Sequence, residues 1–158
     1  MNKQNKKGKG ANANSMRCPY CRSPVIYHSA DGIYRENKNN TMLYVCSRYP
    51  ECDAYVRVHA GTKLPVGSMA DHKLRSLRRD AHRAFDRLHE SGLMCKEDAY
   101  RWLADLICVP LAHAHIGHLN EYYCKQVIEK STELLKRRTS GLNVGSDFEA
   151  KGGIAVCV

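Results

Sequence analysis

Cys18-Pro-Tyr-Cys21 and Cys46-Ser-Arg-Tyr-Pro-Glu-Cys52 decide the fold of this chain. Two thiolates separated by two residues can turn their sulfurs toward one ion. A second pair completes the tetrahedron that Zn²⁺ prefers, at about 2.3 Å per Zn–S bond. Pro19 stiffens the first turn and Pro50 the second. A lone CxxC is weak evidence, because redox motifs share it. Two pairs framing 24 residues of strand-rich sequence predict a structural zinc ribbon, with Cys18, Cys21, Cys46 and Cys52 as ligands of one ion. Four thiolates leave no open coordination position, so the metal is expected to be structural rather than catalytic. Iron in a rubredoxin-like site uses the same donors, but the ribbon context favours zinc.

Working outward, residues 17–60 read as β. Val25–His28, Ile33–Arg35, Met42–Val45 and Tyr55–His59 are rich in β-branched and aromatic residues. Asp31-Gly32 and Asn37–Asn40 supply turn chemistry between them. Residues 61–68 read as a linker. Beyond them the period changes to helical. Leu74, Leu77, Ala81, Ala84, Phe85 and Leu88 share one side of a helix that Ser91-Gly92 stops. A second helix is expected from about Lys96 to Ile107, with Glu97 and Asp98 at its positive end and Pro110 beyond it. A third starts near Asn120, an N-cap residue, with Leu119 placed to staple against Cys124. The fold class is therefore α+β: a small antiparallel Cys₄ ribbon, then a three-helix module over 69–138. The Lys-rich residues 1–16 read as a disordered basic arm, and 139–158 as a flexible tail.

Composition narrows the function classes. The first residues lack the apolar core of a signal peptide, and no apolar run approaches the roughly 20 residues of a membrane span. A reducing cytoplasm, where eight cysteines stay free of disulfides, is the expected setting. The net charge of +9 is concentrated in the arm, which carries +4 in residues 1–16. Polyanions are natural partners for such a chain, although solubility alone accounts for a net charge equally well.

The pattern Cys-Ser-x-Tyr-Pro-x-Cys after Cys-Pro-x-Cys resembles the four-cysteine ribbons at the C-termini of bacterial type I topoisomerases, which bind single-stranded DNA. That resemblance covers residues 17–57, and the chain has no topoisomerase catalytic domain. A wider one spans about 17–130. Cys46 through His59, Leu74–Arg78, Ala81–Asp86, Ala99–Ala104, Ala112–Gly117 and Cys124 together resemble a zinc-finger-containing family of uncharacterised bacterial and bacteriophage proteins. It implies the architecture and no reaction. Cys95 stands where that family would usually place Ser or Thr, and His89 near a position where it often has Trp.

Six of nine tyrosines lie in the ribbon segment, interleaved with arginines. A base can stack on an exposed tyrosine while a neighbouring arginine holds its phosphate. Strand alternation turns about half of the tyrosines inward to fill a small core. The candidate nucleic-acid contacts are Arg17, Tyr20, Arg22, Tyr34, Arg48, Tyr49 and Arg57. On the first helix Arg75, Arg79 and Arg83 extend them, continuing toward Arg87 as an i, i+4 ladder opposite the apolar side. Asp80, Asp86 and Glu90 stand close enough to pair with that ladder, so a solvated, salt-bridged face is the plainer reading there. His113, His115 and His118 raise an enzymatic reading, a nuclease or a second metal site. Three nearby histidines alone are weak evidence, and a shaped connection packed between helices explains them more simply. Cys157 has no assignable role.

The expectation is thus a non-catalytic zinc ribbon that binds nucleic acid, single-stranded DNA first. A phage or bacterial adaptor that docks on host transcription or replication machinery is the alternative, and a nuclease ranks third.

Overall fold

The computed structural model describes residues 15–140, so the expectations for the basic arm and the tail fall outside the described residues except at their inner ends. Three strands come first: β1 (Val25–Ser29), β2 (Met42–Cys46) and β3 (Tyr55–Arg57). They form one antiparallel sheet in the order β1-β2-β3. Three helices follow: α1 (His72–Glu90), α2 (Lys96–Leu106) and α3 (Glu121–Thr139). Short 3₁₀ turns at Leu111–His113 and Ile116–His118 connect α2 to α3. The chain divides into two compact units between Arg75 and Ser76, inside α1.

In the first unit, register sorts the side chains. Val25 pairs with Cys46 and Tyr27 with Tyr44, while Tyr44 pairs with Val56. Paired residues share a face, so these side chains lie on the side that carries the cysteines. There Cys18, Val25, Tyr44, Cys46, Ala54, Val56, Val58 and Met69 make one buried cluster. Leu43 and Val45 point the other way and pack with Ala30, Ile33, Tyr34 and Tyr55. The middle strand is covered on both sides, which is why Leu43 through Cys46 are all buried and show no apolar–polar alternation.

Two expectations are corrected here. Ile33–Arg35 is not a strand. The Ile33 and Tyr34 amides both donate to the Ala30 carbonyl, at 3.1 and 2.8 Å, closing a tight turn through Gly32 at φ 78°. Apolar side chains made that segment look like β because the turn tucks them into the second cluster. Residues 61–68 are not a free linker either. The His59 amide donates to the Leu64 carbonyl and the Val66 amide to the Arg57 carbonyl, each at 2.9 Å. Tyr55 and Ala70 then exchange both backbone hydrogen bonds at 3.1 Å. The ribbon therefore continues to the start of α1.

Asp71 caps α1, its side chain accepting the Leu74 amide at 2.9 Å. In the second unit Ala81, Phe85 and Leu88 are buried, and Phe85 meets Tyr100 edge-on with ring centroids 5.2 Å apart. Asn120 caps α3 as its residue type predicts, accepting the Tyr123 amide at 3.0 Å, and Leu119 and Cys124 are both buried. No described helix is long and apolar enough to cross a membrane.

Candidate metal centre and surrounding surface

The first knuckle is a loop closed on itself. The Cys18 amide donates to the Ser23 carbonyl and the Arg22 amide to the Cys18 carbonyl, both at 2.9 Å. That geometry puts Arg22 at φ 63°, in the left-handed region where glycine is the usual occupant. In the second knuckle the Tyr49 amide donates to the Cys46 carbonyl at 3.0 Å, and the Cys52 amide to the Arg48 carbonyl at 3.1 Å. Tyr49-Pro50 is a cis peptide. The Ser47 amide reaches the Pro24 carbonyl at 3.0 Å and ties the two knuckles together.

These turns aim four sulfurs at one point. The ligand atoms of Cys18, Cys21, Cys46 and Cys52 all lie within 4.8 Å of one another. The Cys18–Cys52 sulfurs are 3.6 Å apart and the Cys21–Cys46 sulfurs 3.4 Å. A tetrahedron with Zn–S bonds of about 2.3 Å has edges of about 3.8 Å, so the cage has the size of a closed four-thiolate site. Cys18 and Cys46 are buried and Cys21 and Cys52 half-buried. Hydrogen bonds from Ser23 pull the Cys21 thiol down to about 6, whereas burial pushes Cys46 up to about 12 and raises Cys52. A bound cation would supply the positive charge that favours the thiolate form which burial disfavours at Cys46 and Cys52. The donor set fits a tetrahedral, thiophilic metal ion.

The ribbon tyrosines divide evenly. Tyr44 is fully buried, and Tyr34 and Tyr55 pack against each other at 6.0 Å. Tyr20, Tyr27 and Tyr49 present 47, 38 and 37 % of their surface to solvent. The hydroxyl of Tyr20 accepts the Asp71 amide at 3.1 Å, which fixes the ring while leaving its face open. Arg17, Arg22, Arg48 and Arg57 are exposed as well, Arg57 on the sheet face opposite Tyr27 because it pairs with Leu43.

Two sequence candidates leave this set. Tyr34 is turned into the second cluster by the Gly32 turn, and burial raises its hydroxyl pKa. Arg75 points away from solvent into the first unit. It donates to the Asp53 carbonyl at 2.6 Å, to the Ala70 carbonyl at 2.5 Å and to the Asp53 carboxylate at 3.0 Å. Asp53 also accepts the His72 amide at 2.9 Å, so it anchors the start of α1 as well. Sequence reading missed Asp53, since a single acid beside Cys52 carries no signal of its own.

In the second unit Arg79 is exposed, and Arg83 is ion-paired with Asp80, which favours the solvated reading of that face. Arg78, on the apolar side of α1, is buried and donates through Nε to the Leu119 carbonyl at 2.8 Å. His113, His115 and His118 are exposed, with the rings of His115 and His118 6.5 Å apart. Among the described residues, the four cysteines are the one group of three or more metal-ligating side chains close enough to share an ion.

A family described as a zinc-finger-containing domain matches the chain over residues 14–134. No curated protein and no solved structure gives a match.

Proposed function

The chain belongs to this zinc-finger-containing family, and from that premise we propose that it is a non-catalytic nucleic-acid-binding protein whose ribbon, held by one structural zinc ion, engages single-stranded DNA. The observation that carries the reading is the pair of exposed tyrosines, Tyr20 and Tyr49, one in each cysteine knuckle, with exposed Arg17, Arg22 and Arg48 beside them in the sequence. An exposed tyrosine ring beside an arginine offers a face on which a base can stack while the guanidinium holds its phosphate. Each stack contributes about 1–3 kcal/mol, and the arginines add a salt-dependent phosphate attraction. Arg22 supports the reading further, because a charged side chain occupies a backbone position that glycine would hold with less strain. The likeness of the second knuckle to single-stranded DNA-binding topoisomerase ribbons points the same way.

Titrating the zinc-loaded full chain against a labelled single-stranded oligonucleotide tests it. Affinity should fall steeply with salt, and Arg48→Ala and Tyr49→Ala should each weaken it while zinc content stays constant. No binding at low salt, with a protein partner retained at high salt after nuclease treatment, would replace this reading with the adaptor.

A further inference from the structure

Beside the cysteine-bearing side of the sheet, the first unit holds a half-open groove of about 800 Å³. The turn at 39–41 forms one wall and the loop at 59–66 the other, with Tyr27 and Met42 between them. Its volume falls within the range of about 300–1,000 Å³ typical of ligand sites. His59, Lys63, Asn39 and Asn40 contribute polar side chains to its lining, and no carboxylate lines it. Two basic side chains, two amides and one tyrosine ring, without an acid, suit an anion that carries a flat ring.

Both walls are fixed in advance. Asn37 accepts the Thr41 amide at 2.7 Å through Oδ1, and through Nδ2 donates to the Ser29 hydroxyl at 3.2 Å. On the other side, Thr62 accepts the Leu64 amide at 3.1 Å and donates to the His59 carbonyl at 2.9 Å. The buried Tyr44 donates its hydroxyl to the Lys63 carbonyl at 2.9 Å, pinning that loop from beneath. A groove with both walls already hydrogen-bonded loses little entropy when it is filled.

We infer that this groove is a nucleotide-binding subsite, in which a base of single-stranded DNA lies on Tyr27 and its phosphate meets Lys63. The inference rests on the nucleic-acid reading above but names a different surface from the Arg48-Tyr49 knuckle. Tyr27 rests against Tyr44 with ring centroids 5.4 Å apart, so its ring is supported from behind. His59 lines the same groove, and Asn39 and Asn40 offer amide donors and acceptors to a base edge.

Fluorescence anisotropy of a fluorescein-labelled oligothymidylate with the zinc-loaded full chain tests the subsite. Tyr27→Ala should weaken binding by about five- to a hundred-fold, and Tyr27→Phe should leave it nearly unchanged. Lys63→Ala, on an exposed loop, should lower the slope of log affinity against log salt by about one. Unchanged affinity and slope in both Tyr27→Ala and Lys63→Ala, with wild-type binding intact, would overturn the subsite and leave the nucleic-acid reading standing. No binding by the wild-type chain would overturn both. Should Tyr27→Ala lose zinc, the Lys63→Ala slope decides alone.

Discussion

The Arg75 guanidinium lies over the Tyr55 ring, 3.6 Å from its centroid, with the Asp53 carboxylate 3.0 Å from its other edge. One side chain thereby joins β3, the residue after the fourth cage cysteine and the first turn of α1. Only 20 % of that side chain is exposed, so the ion pair is worth more than a surface one. Arg75→Ala should cost about 2 kcal/mol, from lost charged hydrogen bonds and the cation–ring contact. Arg79→Ala, four residues on and exposed, should stay within about 0.5 kcal/mol. Urea unfolding of the zinc-loaded protein compares the two.

The cysteine cage predicts a sharp division among the cysteines. Mass spectrometry under native conditions should find a single zinc ion per chain. Cys46→Ser, which removes a fully buried ligand, should abolish it. Cys95→Ser and Cys108→Ser should leave zinc content unchanged, since both residues are exposed and outside the cage. Chelation should remove the strand signal in circular dichroism, because the ribbon has too small a core to hold its sheet without metal.

How much of this was legible in the sequence follows from the range of the forces involved. The metal ligands could be read directly, because paired thiols at fixed spacing have few other uses. The helices could be read too, from Ala81, Phe85 and Leu88 on one side and from caps such as Asn120. Ile33–Arg35 misled because apolar side chains announce burial without saying whether a strand or a turn delivers it. Arg75 misled for a related reason. Helical spacing placed it in a solvent-facing ladder, but Asp53 and Tyr55 come from a distant part of the sequence and reclaim it. Arg78 was hidden on the apolar side among leucines and alanines, where its partner is a backbone carbonyl that no residue type reveals.

His118 should titrate below its ordinary value near 6.5. Partial desolvation is the main cause, with His115 and Arg78 adding repulsion. As pH falls through 6.5 the unfolded chain takes up this proton before the folded one does. The histidine's contribution to stability is therefore present above that pH and is lost as pH drops toward its folded value. The ring-proton shift followed by NMR should give a midpoint below 6.5, and His115→Gln should move it upward by removing a like charge. A midpoint that His115→Gln leaves in place would exclude His115 and leave the shift to desolvation and Arg78.

Cys108 ends α2 in a position that favours glycine. Its φ is 54°, its amide donates to the Asp105 carbonyl at 3.2 Å, and the Val109 amide reaches the Ala104 carbonyl at 3.0 Å. This is the paired hydrogen-bond pattern of a Schellman C-cap. A residue with a Cβ is strained there by about 1–2 kcal/mol, part of which glycine returns as unfolded-state entropy. Cys108→Gly should therefore raise stability by about 1 kcal/mol, read as a higher urea midpoint at an unchanged slope, while Cys108→Ala should gain nothing.

Arg22 has the same kind of backbone conformation, at φ 63° in the first knuckle, but its side chain belongs to the proposed DNA-binding face. Stability and function should separate at this residue. Arg22→Gly should stabilise the zinc-loaded protein by about 1 kcal/mol for the reason given for Cys108. It should also weaken oligonucleotide binding and lower the salt slope by about one, since a phosphate contact leaves with the guanidinium. Arg22→Lys keeps the charge and the strain, so its stability and its salt slope should both stay near wild type. A rise in stability without any loss of affinity in Arg22→Gly would remove Arg22 from the binding face and return its conformation to a purely local consequence of the Cys18–Ser23 loop.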